Sequence, residues 1–271
     1  MPEEQFKPVA VKPPSANPLL FRARCLVDLQ LGSIARQLRP ELAALKGNVL
    51  DVGAGESPWR DWLAPEAVYQ GIDVGNATDF GMHGGRSDIT YYDGNVMPFG
   101  DGTFDGALCI EVLEHTSDPE LCLSEAARVL KDGAPILLSV PWSARRHHIP
   151  HDYHRFTRER LRNLFEASGF EDIGIRERGN DISAIASKLV VLVARLATRK
   201  AGIDLLWRLP ALVSCVPVTL GFLLAAHLAE RFGWGAPEDP LGYFVKARRA
   251  ARKSAAQAAP AVRNTHFESN A

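Results

Sequence analysis

Apolar residues follow two alternating patterns along the middle of this 271-residue chain. Short apolar runs between turn residues indicate strands, whereas apolar positions spaced three and four apart indicate helices. The predicted strands span residues 47–52, 68–73, 88–93, 104–110, 135–140 and 170–177. The predicted helices span residues 19–38, 57–64, 118–131 and 157–168. Because right-handed crossovers join strands that alternate with helices, the pattern predicts an α/β fold with a mostly parallel, doubly wound sheet.

Three segments depart from this alternation. Residues 1–18 are rich in proline, and residues 250–271 are rich in alanine and polar residues, so both are expected to be disordered. Residues 182–239 form a strongly apolar insertion that we expect to be helical, and 240–249 contains one more predicted strand. The predicted central domain therefore comprises residues 19–181 together with 240–249.

The composition narrows the compartment and the partners. A net charge of −1 and a pI near 6.7 give no general attraction for nucleic acid, so no nucleic-acid partner is expected. Four widely spaced cysteines argue against a disulfide framework or a cysteine zinc site. The N-terminus has acidic residues and prolines where a secretory signal would have basic residues and an apolar run. We therefore expect a cytoplasmic protein.

A glycine turn follows the first predicted strand, in the sequence Asp51-Val-Gly-Ala-Gly55. Gly53 and Gly55 lack the Cβ atoms that would hold a ligand away, so the backbone of this turn can approach a nucleoside-bearing cofactor. Ser57 and Pro58 are suited to begin a helix immediately afterwards. An ordinary strand-to-helix turn is the alternative interpretation.

Asp73 ends the second predicted strand, about 20 residues after the glycine turn. Adjacent parallel strands bring their carboxyl ends together, so a carboxylate here can accept hydrogen bonds from ribose hydroxyls. An acid that caps a loop is the alternative. A dinucleotide-binding turn would carry a third glycine where this chain has Pro58, which disfavours a nicotinamide cofactor.

From Asp51 to Gly55 and at Asp73 the chain resembles the class I S-adenosylmethionine-dependent methyltransferases with a type 11-like domain. The resemblance continues through 92–105, where Asp93 matches an acid that contacts adenine, and through 107–119 after the fourth strand. It implies S-adenosylmethionine as the cofactor and a Rossmann-like, seven-stranded sheet whose final strand is antiparallel. The cofactor-binding residues that it implies are Asp51, Gly53, Ala54, Gly55, Asp73, Val74, Asp93, Gly94, Ile110 and Glu111.

Two histidine-bearing segments follow the fourth and fifth predicted strands, near the expected methyl group. His115 is one candidate base, because a neutral imidazole accepts a proton near pH 7; a loop histidine without chemistry is the alternative. His151 and Asp152 begin a His-Asp-Tyr-x-Arg-Phe-Thr stretch that is similar to one bordering the acceptor pocket in a branch of the family. We predict His151 as an acceptor contact or base, with Asp152 orienting it or Arg155. A structural salt bridge between Asp152 and Arg155 is the alternative.

A metal site is a further interpretation of the second segment. Four histidines fall within eight residues, at His147, His148, His151 and His154, and Asp152 could support them. Because the segment matches the acceptor-pocket stretch, no metal is expected.

The apolar insertion has the length of a membrane element. Residues 209–229 carry no charge when His227 is neutral, and 21 residues are about the span of a transmembrane helix. Prolines interrupt this run, a single crossing would separate the last strand from its sheet, and Lys188 would be costly inside a second crossing. We expect residues 182–234 to make peripheral membrane contact as interfacial helices, with a soluble lid or dimer surface as the alternative. The interfacial arrangement would let an exposed basic surface face the headgroups, made of Lys188, Arg195, Arg199, Lys200 and Arg208.

Together these features predict methyl transfer from S-adenosylmethionine to a small-molecule, sugar or lipid-linked acceptor, at an oxygen atom. The protein is expected in the cytoplasm, peripheral at the inner face of the membrane. A non-catalytic module that binds the cofactor is the main alternative, since acceptor-side residues are less diagnostic than cofactor-side residues. A nicotinamide-dependent oxidoreductase is a weaker alternative.

Overall fold

The computed structural model describes residues 9–75, 86–198 and 205–252. Its strands are β1 (Gly47–Val52), β2 (Ala67–Val74), β3 (Ile89–Tyr92), β4 (Gly106–Ile110), β5 (Pro135–Pro141), β6 (Phe170–Arg178) and β7 (Gly242–Arg249). Its α-helices are α1 (Pro18–Val27), α2 (Leu29–Leu42), α3 (Pro119–Val129), α4 (Arg158–Ala167), α5 (Asp181–Thr198) and α6 (Leu205–Phe232). The strands agree with the predicted ones to within about two residues at most ends, as expected for sequence-based boundaries.

The strands form one mixed sheet in the order β3-β2-β1-β4-β5-β7-β6. Strands β1 to β5 pair in parallel, whereas β7 lies between β5 and β6 and is antiparallel to both. The expected seven-stranded, doubly wound sheet with an antiparallel final strand is therefore confirmed. In β1, Asp51 pairs with Gly71 of β2 and Leu108 of β4, so the carboxyl ends of these three strands lie side by side.

Neighbouring residues of each central strand pack on opposite faces of the sheet. In β1, Leu50 lies in a core shared with α3 and α4, whereas Val49 lies in a core shared with α2. This alternation follows from the period of two along a strand. Because helices cover both faces, the carboxyl edge of the sheet is left to form a ligand site.

The N-terminal helix differs from the single helix predicted over 19–38. Asp28 separates α1 from α2, and its carboxylate accepts a hydrogen bond from the backbone nitrogen of Leu31, which makes it the N-cap of α2. Helix α2 then continues through Pro40 to Leu42 instead of ending at the proline. The packing of its apolar face against the sheet offsets the hydrogen bond that proline removes.

The helix predicted over 57–64 is reduced to a 3₁₀ turn at Arg60–Trp62. Ser57 has a φ of 52°, whereas an N-cap residue has extended backbone, so Ser57 does not begin an α-helix. Its hydroxyl lies 2.7 Å from the Tyr69 hydroxyl instead. Trp59 is buried against the α2 side of the sheet, and this packing determines the local fold.

Several predicted segments fall partly outside the described residues. These are residues 1–8 of the predicted arm, 199–204 of the predicted insertion and 253–271 of the predicted tail. Residues 9–17 are described and run beside α1. There Arg24 donates hydrogen bonds to the carbonyl oxygens of Val9 and Ala10, at 2.7 and 2.8 Å.

The apolar insertion folds into an antiparallel helical hairpin, α5 and α6. At its base the side-chain amide of Asn180 donates to the carbonyl oxygen of Trp234, at 2.9 Å. At its far end Arg208 is buried and donates from Nε to the carbonyl oxygen of Leu196, at 3.1 Å. Arg208 therefore satisfies a carbonyl near the end of α5 that the helix itself leaves unpaired.

Within the described residues one helical segment, Leu206–Phe232, is long and apolar enough to cross a membrane by length and composition. The most apolar 18-residue window of this segment has a mean hydropathy of 2.1, and only 11% of that window is buried. The segment therefore differs from the core helix of a soluble domain, which would be mostly buried.

Candidate active site

An open cavity of about 1580 Å³ lies at the carboxyl edge of the sheet. This volume exceeds the roughly 300 to 1,000 Å³ of a typical small-molecule pocket, so the cavity has room for both a cofactor and an acceptor. All ten residues predicted to bind the cofactor line this cavity, namely Asp51, Gly53, Ala54, Gly55, Asp73, Val74, Asp93, Gly94, Ile110 and Glu111. The structure thus brings these residues to one place, and their contacts with a cofactor stay a prediction.

The glycine turn after β1 is held tightly against the neighbouring strands. The backbone nitrogens of Gly53 and Ala54 both donate to the carbonyl oxygen of Ile72, at 2.9 and 3.1 Å. Gly53 has a φ of 68°, and a Cβ atom placed on it would lie 2.4 Å from Val112 Cγ2. Both the conformation and the space therefore require glycine at this position.

Asp73 joins the end of β2 to the glycine turn. One carboxylate oxygen accepts a hydrogen bond from the backbone nitrogen of Gly55 at 2.8 Å, and the other accepts from that of Val74 at 2.7 Å. Burial raises the pKa of Asp73, and these two hydrogen bonds oppose that effect. Each oxygen keeps a second lone pair, so the carboxylate can still accept from two ribose hydroxyls.

Asp51 is a buried acid beneath the same turn. Its carboxylate accepts a hydrogen bond from the Tyr69 hydroxyl at 2.8 Å. Burial raises the pKa of Asp51 to about 7, against the hydrogen bond from Tyr69. A cationic group bound in the cavity would favour the ionised form of Asp51.

Asp93 lies at the exposed rim of the cavity, directly after β3. Both of its carboxylate oxygens accept hydrogen bonds from Asn95, one from the backbone nitrogen at 2.9 Å and one from the side-chain amide at 3.0 Å. These bonds hold the pKa of Asp93 below its usual value. The carboxylate is therefore held in place and ionised at the rim, and its contact with the adenine amino group stays a prediction.

Glu111 follows β4 with a φ of 56° and is anchored by a buried arginine. Its carboxylate accepts from the Ser139 hydroxyl at 2.8 Å and from Arg178 at 3.0 Å. Arg178, at the end of β6, is fully buried and also donates to the carbonyl oxygen of Val140. Arg178 was not predicted from the sequence, because no local pattern marks an arginine at a strand end as the partner of a distant glutamate.

His115 ends a 3₁₀ turn, Leu113–His115, that follows β4. Its Nδ1 lies 2.6 Å from the carbonyl oxygen of His151, so Nδ1 carries the proton in the neutral ring and Nε2 carries the lone pair. Burial lowers the pKa of His115, and the neutral form therefore prevails at pH 7. The two predicted catalytic histidines are thus neighbours in the cavity wall.

Asp152 lies behind the cavity wall, not among the residues that line it. Its nearly inaccessible carboxylate forms a bidentate ion pair with Arg155, at 2.6 and 2.9 Å, and accepts from the backbone nitrogen of His147 at 3.0 Å. Burial would raise the pKa of Asp152, but these bonds bring it below its usual value. A direct catalytic contact does not fit this position, whereas orientation of Arg155 and of the histidine loop does.

Three imidazole rings meet on one side of the cavity. His115, His147 and His148 have candidate ligand nitrogens within 4.8 Å of one another. His154 points elsewhere, with Nε2 at 3.1 Å from the carbonyl oxygen of Thr116. The structure therefore combines two of the four clustered histidines with one from a different loop, a grouping that spacing alone did not predict.

Part of the cavity wall comes from the insertion and from α1. Lys188, Val191 and Arg195 of α5 line the cavity together with Val27 of α1. Val27 is 49% exposed, so the cavity is continuous with the apolar outer surface of α1. The basic Arg208, by contrast, is buried against Leu196 and does not contribute to the exposed basic surface expected for the insertion. Arg199 and Lys200 of that expected surface lie outside the described residues.

The arrangement fits a nucleoside cofactor that bears a cationic amino-acid group. The glycine at position 53 lets the backbone of the turn approach a ligand closely. Asp73 offers two hydrogen-bond acceptors, and a cation would favour the ionised form of the buried Asp51 carboxyl group. This set defines a class of cofactor-binding α/β domain in which the acceptor lies across the same cavity.

Comparison with known proteins shows the family to which this cofactor-binding domain belongs. Residues 28–174 match the family described as "Methyltransferase domain", which is more than half of the chain. The chain therefore belongs to this family, and it is a class I S-adenosylmethionine-dependent methyltransferase. The predicted cofactor and enzyme class are confirmed, and the nicotinamide-dependent oxidoreductase is set aside.

Curated relatives match shorter stretches. The chain is 30% identical over 117 residues to "O-methyltransferase cnsE" of Penicillium expansum, covering 39% of this chain and 42% of the relative. It is 33% identical over 108 residues to "Ubiquinone biosynthesis O-methyltransferase" of Paracidovorax citrulli, covering 36% and 45%. The chain thus spans about half the length of the curated relatives it matches.

Solved structures agree on the fold. The crystal structure of the [4+2]-cyclase SpnF superposes with a TM-score of 0.52 at 22% identity, covering 82% of this chain and 83% of that chain. At this identity the likeness concerns the fold alone, since one fold can host different chemistries.

Proposed function

We propose that this protein transfers the methyl group of S-adenosylmethionine to a hydroxyl oxygen of a lipid-linked or otherwise amphiphilic acceptor. The observation that carries the proposal is the shared cavity. It joins the ten cofactor-side residues, two histidines suited to accept a proton, and a wall that combines apolar with basic side chains. Oxygen as the acceptor atom is also consistent with curated relatives named O-methyltransferases.

Bound S-adenosylmethionine supplies an electrophilic methyl group, so the protein has to align the acceptor and remove its proton. The acceptor oxygen forms a bond to the methyl carbon while the carbon–sulfur bond breaks and its electron pair stays on sulfur. The hydroxyl proton passes to an imidazole, of His115 or of His151. The hydrogen bond between these two residues fixes the tautomer of His115 and positions its ring in the wall.

The acceptor side of the cavity suits an anionic amphiphile. Val190, Val191 and Leu192 of α5 offer apolar surface, and Lys188 and Arg195 stand at either end of this stretch. An apolar chain with a phosphate-bearing head, such as a lipid-linked sugar, would satisfy both kinds of side chain. A small soluble acceptor would use only the inner part of the cavity near His115.

The outer surface of α6 supports contact with a membrane. Exposed large apolar residues recur every three or four positions along one stripe, Leu209, Val213, Val216, Leu220, Leu224, Leu228 and Phe232. We name these seven residues the α6 stripe. Between Arg208 and Glu230 the helix carries no Asp, Glu, Lys or Arg. The neighbouring α1 adds Leu19, Leu20 and Leu26, each at least 60% exposed. Such a surface is suited to lie at the boundary of headgroups and acyl chains.

Both ends of α6 favour an interfacial over a spanning arrangement. One end is tied to α5 through Arg208, and near the other end Glu230 forms an ion pair with Arg36 of α2 at 2.5 Å. A crossing helix would have to release both contacts. The proposed location is therefore the cytoplasmic face of the membrane, where an acceptor anchored in the bilayer reaches the cavity beside Val27.

The test of this function is transfer of a labelled methyl group. Purified full-length protein is incubated with methyl-labelled S-adenosylmethionine and cell extract, and label is counted separately in lipid and aqueous fractions. Label in the lipid fraction that survives acid hydrolysis as a methyl ether supports the proposal. Label only in the aqueous fraction contradicts a lipid-linked acceptor.

A matched pair of variants separates catalysis from cofactor binding. His151→Ala should lower the transfer rate while S-adenosylhomocysteine binds unchanged, because the ring lies on the acceptor side. Asp73→Ala should lose both methyl transfer and the binding of S-adenosylhomocysteine. A folded wild type that binds the cofactor but transfers no label to any fraction would favour the non-catalytic module.

A further inference from the structure

We infer that His115, His147 and His148 form a binding site for a divalent transition-metal ion, with zinc as the ion of best fit. The candidate ligand nitrogens of the three side chains lie within 4.8 Å of one another, on the wall of the cavity. Bonds of about 2.1 Å in a tetrahedral site space nitrogens roughly 3.4 Å apart. The three rings therefore have to move closer together when an ion binds.

The tautomers of two rings are already set for metal binding. Nδ1 of His115 hydrogen-bonds to the carbonyl oxygen of His151 at 2.6 Å, and Nδ1 of His147 lies 3.1 Å from that of Arg145. In each neutral ring the lone pair therefore resides on Nε2. Ligating histidines typically donate their other ring nitrogen to a carbonyl or carboxylate in this way, which fixes the ring and raises its basicity.

A second, independent observation comes from Glu114, the neighbour of His115. Its side chain is fully buried, and neither carboxyl oxygen has a hydrogen-bond partner among the described residues. One of these oxygens, Oε1, lies 3.6 Å from His115 Nε2. Buried polar groups without a partner are rare in native proteins, and a bound ion is one of the groups that compensate them. A cation beside His115 would compensate this carboxyl group.

The donor set selects the class of ion. Three imidazole nitrogens suit zinc and its neighbours in the first transition row, whereas magnesium and calcium prefer oxygen ligands. A site with three histidines leaves a fourth position open, as catalytic zinc sites do. Because all three histidines line the cavity, an acceptor hydroxyl at that position would be polarised by the ion. This role rests on the proposed function, and it leaves His151 as the residue that accepts the proton.

The ring packing supports a common centre. The ring centroid of His115 lies 4.7 Å from that of His147 and 5.1 Å from that of His148, and both pairs are edge-to-face. The backbone nitrogen of His147 is held by the buried carboxylate of Asp152 at 3.0 Å. The loop that carries two of the three rings is thus fixed by the Asp152–Arg155 ion pair.

The experiment uses untagged full-length protein that has been freed of metal with a chelator. Zinc binding is measured by titration calorimetry, and cobalt is added separately because a tetrahedral cobalt site absorbs visible light. The expected result is one equivalent of bound ion and a cobalt spectrum of tetrahedral type. His148→Asn should weaken zinc binding at least ~10-fold, because even the loss of a residue that only supports a metal ligand weakens binding by about that factor. Asparagine suits this position because His148 has a φ of 52°.

The double variant His147→Ala/His148→Asn should lose the site altogether. His227→Ala is the matched control, since Nε2 of His227 also contacts a backbone carbonyl, that of Leu26 at 2.9 Å, but on α6. Binding of S-adenosylhomocysteine verifies that each variant is folded. Absence of saturable metal binding by the wild type, or equal binding by wild type and double variant, overturns the inference. Metal binding without methyl transfer would instead count against the proposed function.

Discussion

The carboxylate of Asp73 accepts a hydrogen bond of 2.8 Å from the backbone nitrogen of Gly55, which locks the end of β2 to the glycine turn after β1. One side chain therefore shapes the turn and also lines the cavity, where it is predicted to accept hydrogen bonds from the cofactor. We predict that Asp73→Asn weakens the binding of S-adenosylhomocysteine by roughly 10- to 100-fold, since hydrogen bonds to a charged group contribute about 1.5 to 3 kcal/mol. Titration calorimetry measures the change. Asp172→Asn, an exposed acid on β6, is the control and should bind normally.

Gly53 is predicted to be intolerant of any side chain. Gly53→Ala should lower the free energy of unfolding by about 3 kcal/mol, because its φ is 68° and the new Cβ would meet Val112 at 2.4 Å. Gly102→Ala is the matched control, with a φ of 61° and no atom within 4 Å of the added Cβ. The free energy of unfolding of Gly102→Ala should fall by only about 1 kcal/mol. Equal losses in denaturant unfolding of the two variants would show that contact with Val112 is unimportant.

Asp51 is predicted to make stability depend on pH. Burial raises its pKa to about 7 in the folded state, whereas the unfolded value is about 3.9. The unfolded state therefore loses the proton first, and stability falls as the pH rises from about 4 to about 7. The variant Asp51→Asn has no titrating group at this position. Its free energy of unfolding, relative to that of the wild type, should therefore rise by about 3 kcal/mol between pH 5 and pH 8. Denaturant unfolding at both pH values measures it, and a constant difference would contradict the prediction.

The Asp152–Arg155 pair is predicted to stabilise the histidine loop. Asp152→Ala should lower the free energy of unfolding by about 3 kcal/mol. This is the low end of the range for a buried ion pair, because Arg155 keeps some contact with water. The lowered pKa of Asp152 means that this contribution is present at neutral pH and is lost as the pH falls below about 4. Glu120→Ala breaks the exposed pair with Arg160 and should change stability by less than about 1 kcal/mol. If the two variants lose similar amounts of free energy of unfolding, the Asp152–Arg155 pair stabilises the protein no more than an exposed ion pair does.

The α6 stripe is predicted to drive vesicle binding. Leu220→Glu/Leu224→Glu should lower the partition of the protein onto vesicles of phosphatidylcholine and phosphatidylglycerol at least ~10-fold, since each leucine loses about 1.5 kcal/mol or more of apolar burial. Flotation through a density gradient measures the bound fraction. Val68→Glu/Val96→Glu alters two equally exposed apolar residues on the sheet side and should bind like the wild type. If the wild type itself stays in the soluble fraction, peripheral membrane association is wrong.

The cofactor side of the cavity could be predicted from the sequence because parallel strands end at one edge. Once the strand order is known, Asp51, Asp73 and Asp93 must come together, and each is marked by its place after an apolar run. The helix predicted after Ser57 failed for a local reason, since the left-handed backbone of this serine and its bond to Tyr69 outweigh the capping signal.

Long-range partners were harder to predict. His115 and His147 are separated along the chain by a helix and a strand, so only the folded structure shows that their rings touch. Arg178 and Glu111 likewise meet across the sheet, at 3.0 Å. The break at Asp28 was missed because α1 and α2 share one apolar period, and the capping bond to Leu31 decides where the first ends.

Arg208 bonds the start of α6 to the end of α5, and Asn180 bonds the loop after α6 to the residue before α5. The two helices are thus hydrogen-bonded to each other at both ends, and we call this hairpin the flap. One side of this flap is the α6 stripe, and the other side carries Lys188 and Arg195 into the cavity. A surface that contacts the stripe therefore contacts the same pair of helices that lines the cavity, so we expect binding outside to influence the width of the cavity within.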